Sequence, residues 1–358
     1  MEGKNRIFGG RETVFLAVNV LTFRFFTRLS LVYPKISGTG AALSSILTGA
    51  AAVLLVWLVC RADCDLISAA ERTMGRTGKY AAAAVLLIYL AVSAVFSLRE
   101  SAVFAAQVAF PSAPMWYVLL PFAAAMYFGA VRGLAAIART HLVIIPFVLL
   151  LTVIMLASVL VHADFANLLP ILGSGGGAVV KNAAEGLAMY ADLIMLCLLA
   201  PMCESSETFR RFAVGGAAAA AVLNAVFVLA YSAAIPYPMS AQVKYPLYVL
   251  LKEVYCGRFL QRIDAVYMLV TALGEMLFSA LVLFEMTYVI KRAFGTAGDR
   301  VFALPLASAA FLCAIGVTSG FEDMLGRILF FGSLAAVLIF AALIGASAAV
   351  GRRTHERN

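Results

Sequence analysis

DFANLLPILGSGGG, residues 164–177, lies between two long apolar stretches and decides how the chain is read. Asp, Asn and Pro end one helix, and the glycines after them leave a backbone free to turn before Lys181 and Asn182 open the next. An abrupt helix start of this kind is how a ligand-facing re-entrant or broken membrane helix begins.

The flanking stretches set the class. Hydrophobic residues make up 63% of the 358 and charged ones 13%, with a mean hydropathy of +0.97. A water-soluble domain carries roughly a quarter charged residues, so the chain reads as an all-α integral membrane protein. A bilayer core about 30 Å thick takes about 20 apolar residues per helix. Ten such stretches lie near 12–32, 41–60, 80–108, 113–131, 141–161, 183–203, 212–235, 263–290, 301–319 and 328–350. No charge run, low-complexity tail or Pro/Ser linker divides them, so residues 1–358 read as one polytopic domain. The first run leads into further spans with no A-x-A site behind it, and a cleaved signal peptide is not expected.

Lys and Arg are retained on the cytoplasmic side of a membrane during insertion. With the N-terminus inside, seventeen of them fall in cytoplasmic segments, among them Arg72, Arg76, Arg210, Arg211, Lys291 and Arg292, and seven fall outside, among them Lys35, Lys181 and Lys244. Both termini are therefore expected in the cytoplasm. The net charge of +8 is mostly this topological signal, and no nucleic-acid partner is needed to explain it. Cys60 and Cys64 lack the second cysteine pair or the histidines a zinc site would need, so the six cysteines read as small apolar fillers and no metal or cofactor is expected.

Two loops are more than connectors. Residues 62–79 place Leu66, Ile67, Ala70 and Met74 at helical spacing with charges opposite, which predicts a short interfacial helix. In the large outer loop 236–262, YPLYVLLKEVY predicts a second amphipathic turn.

Polar groups inside the spans carry whatever chemistry exists, because an intramembrane charge costs several kcal/mol unless it faces protein or water. The candidates are Arg24, Arg28, Arg99, Glu100, Glu185, Asp192, Glu275 and Glu285. Glu285 lies shortly before Lys291 and Arg292 and is expected to snorkel toward them. Arg99 and Glu100 point to different faces of one helix and form a candidate structural charge network. Glu275, with Thr271 and Ser279 one turn to either side, makes a polar stripe. It reads either as a proton or ligand site or as a clamp to Arg28 or Arg99. In span 6, NAAEGLAMYADLIMLCLLAP carries Tyr190 and Asp192 at mid-helix, and Gly186 weakens the helix beside them. A break near 186–192 would offer unpaired backbone groups to a small zwitterionic ligand. Asp192 as the partner of a structural Arg is the alternative.

SLRESAVF (97–104), YFG and GLAAIARTHLVIIPF within 127–147, DFANLLPILGSG (164–175), the carboxylate nine residues before Pro201, and GRFLQRIDAVYML (257–269) occur in that order. Together they resemble the GerAB family of spore germination permeases, within the amino acid–polyamine–organocation superfamily. The resemblance implies about ten helices in a five-plus-five inverted repeat, the first repeat about 12–161 and the second about 178–319, with a last helix about 328–350. Helices 1 and 6 would be broken at the midplane. It also implies a germinant receptor in the inner membrane of a spore, with an A-type membrane subunit and a C-type lipoprotein subunit as partners.

The chain departs from that family where a ligand would sit. Arg28 and Leu29 stand where small residues precede the helix 1 proline, Ala191-Asp192 stands for Gly-Glu, and Thr271 falls about where a Trp is usual. The ligand-binding residues expected on this reading are Thr27, Arg28, Ser30, Tyr190, Ala191, Asp192, Thr271 and Glu275. Three functions follow: a receptor subunit sensing a small germinant such as an amino acid, a proton-coupled secondary amino acid transporter, and a structural subunit with a decayed pocket. No nucleotide motif, nucleophile elbow or metal cluster points to an enzyme, and His141, His162 and His355 are scattered singly.

The charge asymmetry yields a direct test. Single cysteines at Ser174 and Gln242 are expected to react with a membrane-impermeant thiol reagent from outside, and those at Thr208 and Thr354 from inside only. The reverse pattern would overturn the orientation.

Overall fold

Small residues at the helix crossings set how closely the bundle packs. The computed structural model describes residues 8–32, 39–60, 66–161, 163–172, 174–237, 263–295, 301–318 and 324–329, with residues 36, 239, 248, 320–321, 331–332, 335, 339 and 342, and backbone alone at 23, 24, 26–32, 263 and 264. The described elements are α1 (Gly10–Val32), α2 (Gly40–Cys60), α3 (Leu66–Val108), α4 (Met115–Arg132), α5 (Leu134–Val161), α6 (Gly176–Gly186), α7 (Leu193–Leu199), α8 (Ser206–Ala234), α9 (Ile263–Phe294) and α10 (Ala303–Gly316). Among the described residues there is no strand, only an isolated bridge between Phe8 and Cys203. Among the described residues seven helices are long and apolar enough to cross a membrane, Gly176–Met202 counting as one. The final span and the amphipathic turn expected in the outer loop lie largely outside the described residues.

Lipid-facing and core-facing sides separate cleanly. Ile88, Val143 and Phe128 are more than 60% exposed on the bundle's outer surface, where hydrocarbon takes the place of water. Inside, α1 and α8 approach so closely that a Cβ on Gly216 would lie 2.7 Å from the Cβ of Ala17 and 2.9 Å from the Val14 carbonyl. At the crossing of α2 and α8 a Cβ on Gly49 would meet that of Ala221 at 2.7 Å. This is how membrane helices gain packing when lipid is as apolar as their own side chains.

The loop that opened the sequence reading is a built connection. Asp164 accepts the Ala166 amide at 2.9 Å to cap a short 3-10 turn, Phe165–Leu168. Asn167 donates to the Ala233 carbonyl at 3.0 Å, fixing the turn to the end of α8, and the Leu168 carbonyl accepts the Thr39 amide at 2.9 Å. Gly175, at φ 83°, then turns the chain into α6 through a conformation that disfavours a Cβ.

The expected short helix is also present: Leu66–Met74 precedes a break at Gly75 (φ 68°), after which α3 continues to Val108. Leu66, Ile67 and Ala70 are buried, but Met74 is 61% exposed. At about 100° per residue Met74 falls between Ala70 and Ile67 on the buried stripe, but it is the last residue before the break at Gly75.

One expectation is corrected. α1 is a single helix from Gly10 to Val32, with no break between Arg24 and Ser30. Residues 23–31 hold neither Gly nor Pro, and nothing in them interrupts regular hydrogen bonding.

Because the α1–α8 crossing leaves no room for a side chain, Gly216→Leu should destabilise the protein by about 1–3 kcal/mol. The unfolding midpoint in detergent should fall, while substitution at Gly215, which faces open space, should not move it.

Candidate functional site

Helix 6 breaks where a glycine and a buried carboxylate fall together. α6 ends at Gly186, Leu187–Tyr190 is a 3-10 turn, and α7 starts only at Leu193. The Leu187 amide turns to the Ala184 carbonyl, three residues back. The Ala183 carbonyl accepts the Thr48 hydroxyl of α2 at 3.0 Å. One residue earlier Asn182 donates to the Ser44 hydroxyl at 2.8 Å, so α2 holds the first half of helix 6 through two of its side chains. This interruption matches the expectation for residues 185–192.

Tyr190, Ala191 and Asp192 all sit in the break at 2% exposure. The Tyr190 hydroxyl accepts from the side-chain amide of Asn224 on α8 at 3.0 Å, and that amide also reaches the Leu21 carbonyl of α1 at 3.4 Å. One buried side chain thus joins α1, α8 and the break. Asp192 accepts a short hydrogen bond from the Tyr89 hydroxyl of α3.

Glu275 has a matching donor on the same helix. Ser97 of α3 donates to it and lies 3.4 Å from Ser279. Tyr89, Ser93, Ser97 and Ser101 recur at intervals of four along α3, all buried. This stripe faces the one at Thr271, Glu275 and Ser279 on α9. Tyr89 and Ser97 are eight residues apart, which at 1.5 Å rise each sets the two carboxylates at levels about 12 Å apart along α3. The residues expected to form one site are therefore divided between the helix 6 break and a second level. There Glu100, Thr271 and Glu275 line a cavity among α3, α4 and α9.

Other expected residues fall as follows. The side chains of Thr27, Arg28 and Ser30 lie outside the described residues. Arg99 donates to the Ala314 carbonyl of α10 at 3.4 Å, away from Glu100's cavity. Glu285 does not snorkel: it is wholly buried, and among the described residues neither carboxylate oxygen has a hydrogen-bond partner. Its helix turns it inward, on the side of Asp192 and Cys197. His141 is likewise a core residue: its Nδ1 donates to the Ile137 carbonyl at 2.8 Å, leaving Nε2 to accept the Asn19 amide at 2.9 Å. Tyr89, Ser97 and Asn224 were missed by sequence reasoning. The four-residue spacing on α3 was the available signal, whereas nothing in the alanine-rich sequence of α8 marks Asn224. Among the described residues no three His, Cys, Asp or Glu side chains gather as a metal site. The arrangement is suited to binding.

Comparison with known proteins gives this geometry its context. The family model described as "Spore germination protein" matches residues 32–322. The chain belongs to the spore germination permease family. Spore germination protein XB of Bacillus anthracis is 20% identical over 273 residues, covering 74% of this chain and 76% of that one. In fold, the permease resembles the nucleobase-cation-symport transporter Mhp1 in a closed conformation with bromovinylhydantoin bound, at TM-score 0.73 and 13% identity over 96% of this chain and 78% of that one. The inward-facing form of Mhp1 gives 0.65, and MhsT in complex with L-phenylalanine gives 0.67 at 12% identity over 93% and 87%. This is a transporter fold, and the family is a permease type rather than an enzyme class.

The Tyr89–Asp192 contact predicts a split between variants. Asp192→Asn keeps an acceptor for the Tyr89 hydroxyl, so membrane levels should stay near wild type. Tyr89→Phe removes a donor from a buried carboxylate and should lower the unfolding free energy by about 1–3 kcal/mol. Quantifying folded protein by fluorescence size-exclusion checks both, and equal losses would contradict the assignment.

Proposed function

We propose that this permease is the transporter-like subunit of a spore germinant receptor, in the inner membrane of the spore with both termini cytoplasmic. It senses a small germinant, an amino acid, at the helix 6 break and signals to A-type and C-type subunits. The observation that carries the reading is the interruption at Leu187–Asp192, because it puts a carboxylate and a phenol together at a 3-10 turn within a mostly apolar core. Membership of the spore germination family and a fold shared with transporters whose structures hold a hydantoin and L-phenylalanine support it. A ligand wedged there would favour one arrangement of the two half-helices over another, and its differential affinity sets how far the population moves.

Secondary transport is the second reading, and Glu285 favours it. A carboxyl group buried in the bundle, with no donor among the described residues, is a natural station for a coupling proton.

The test is a thermal-shift screen of amino acids on purified protein, followed by uptake in proteoliposomes. An amino acid at a hundred times its Kd should stabilise the fold by about 2.7 kcal/mol, and Asp192→Asn should abolish the shift. Binding without uptake supports the receptor, and uptake driven by a proton gradient supports transport. A shift unaltered by Asp192→Asn would remove the break from the site.

A further inference from the structure

The cavity among α3, α4 and α9 has a volume of about 520 Å³, inside the range of small-molecule pockets. It occupies the last turns of α3 and the first turns of α4 and α9, about three helical turns along α3 from Tyr89, the partner of Asp192. Its walls are aromatic and aliphatic. Phe104 packs edge-on against Tyr267 at 5.6 Å and Tyr248 at 5.8 Å, while Phe110 and Tyr117 stand half-exposed at its margin. The polar side-chain lining is oxygen throughout, with the Tyr117 and Tyr267 hydroxyls on the aromatic wall. Glu100 and Glu275 contribute carboxylates, Thr271 and Ser101 hydroxyls, and among the described residues no Lys, Arg or His lines it.

The Thr271 and Ser101 hydroxyls are turned to the carbonyls of their own helices, Thr271 to Tyr267 at 3.0 Å and Ser101 to Ser97 at 2.8 Å. Their oxygens therefore present lone pairs to the cavity. Glu275 is oriented by Ser97 from the side of α3. The result is a fixed, acceptor-rich and negative floor beneath apolar walls.

We propose that this cavity is a second ligand site, separate from the helix 6 break, for a hydrophobic amine: an ammonium group held by Glu100 and Glu275, with an aromatic or apolar body among Phe104, Tyr117 and Tyr267. An ammonium supplies three donors to a lining that offers acceptors, and its charge is favoured both by carboxylates in a low-dielectric setting and by aromatic faces. A carboxylate ligand meets like charge there. A neutral body of the same shape gains only the apolar contacts.

A matched set of indoles tests this on the full chain in lipid nanodiscs: tryptamine, tryptophol and indoleacetate. Tryptamine should bind saturably and at least about tenfold tighter than tryptophol, with indoleacetate weakest. Glu100→Gln should erase that margin and leave tryptophol unchanged, Ala272→Phe should block both by filling the cavity, and Asp192→Asn should alter neither. Equal affinities for amine and alcohol would mark the cavity as a mere apolar void and overturn the proposal. So would no saturable binding, or loss of tryptamine binding in Asp192→Asn but not in Glu100→Gln. The ligand series on the unaltered protein decides even where a variant fails to fold, and the Asp192 arm keeps the result separate from the function proposed for the break.

Discussion

A polar group in hydrocarbon must find its partner within the protein, and the seam between α3 and α9 is where this chain meets that demand. Tyr89, Ser93, Ser97 and Ser101 on one helix face Thr271, Glu275 and Ser279 on the other. Hydroxyls can satisfy themselves on the carbonyl four residues back, as Ser101 does, but a carboxylate needs a donor from another helix. Ser97 for Glu275, and Tyr89 for Asp192, fix the rotation of α3 against both α9 and helix 6. Each alternative rotation would bury an acid against methyl groups, so the seam specifies one packing out of the many that small-residue helix contacts would tolerate.

Most of the fold was legible because hydropathy and helix punctuation are local signals. The apolar spans among the described residues, the helix before Gly75, and the interruption of helix 6 at Gly186 all follow from residue types within one or two turns. The stripe at Thr271, Glu275 and Ser279 was readable in the same way. Its complement on α3 obeyed the same four-residue rule, yet three serines and a tyrosine cost little to bury and draw less notice than a glutamate. Which acid meets which donor was not legible, since Tyr89 and Asp192 are 103 residues apart and joined only by tertiary packing.

Two misreadings have one physical origin each. The continuity of α1 follows from its own residues 23–31, which lack Gly and Pro; the break came from likeness to relatives that carry small residues there. Glu285 looked like a snorkelling partner for Lys291 and Arg292 because sequence distance measures position along a helix and not azimuth. Six and seven residues on, those cations lie one to two turns further along, and reaching them requires a side chain on the outer face. Glu285 is on the inner one.

The bridge between Phe8 and Cys203 joins the front of the chain to the tail of helix 6. The Glu204 amide donates to the Phe8 carbonyl at 3.2 Å, immediately after the 3-10 turn Ala200–Met202 that closes that helix. α7 is only seven residues long and is bounded by 3-10 turns at both ends, so it behaves as a short rod between two joints. A displacement at Asp192 would therefore have a direct mechanical route to Phe8 at the head of α1, through one short helix and one backbone hydrogen bond.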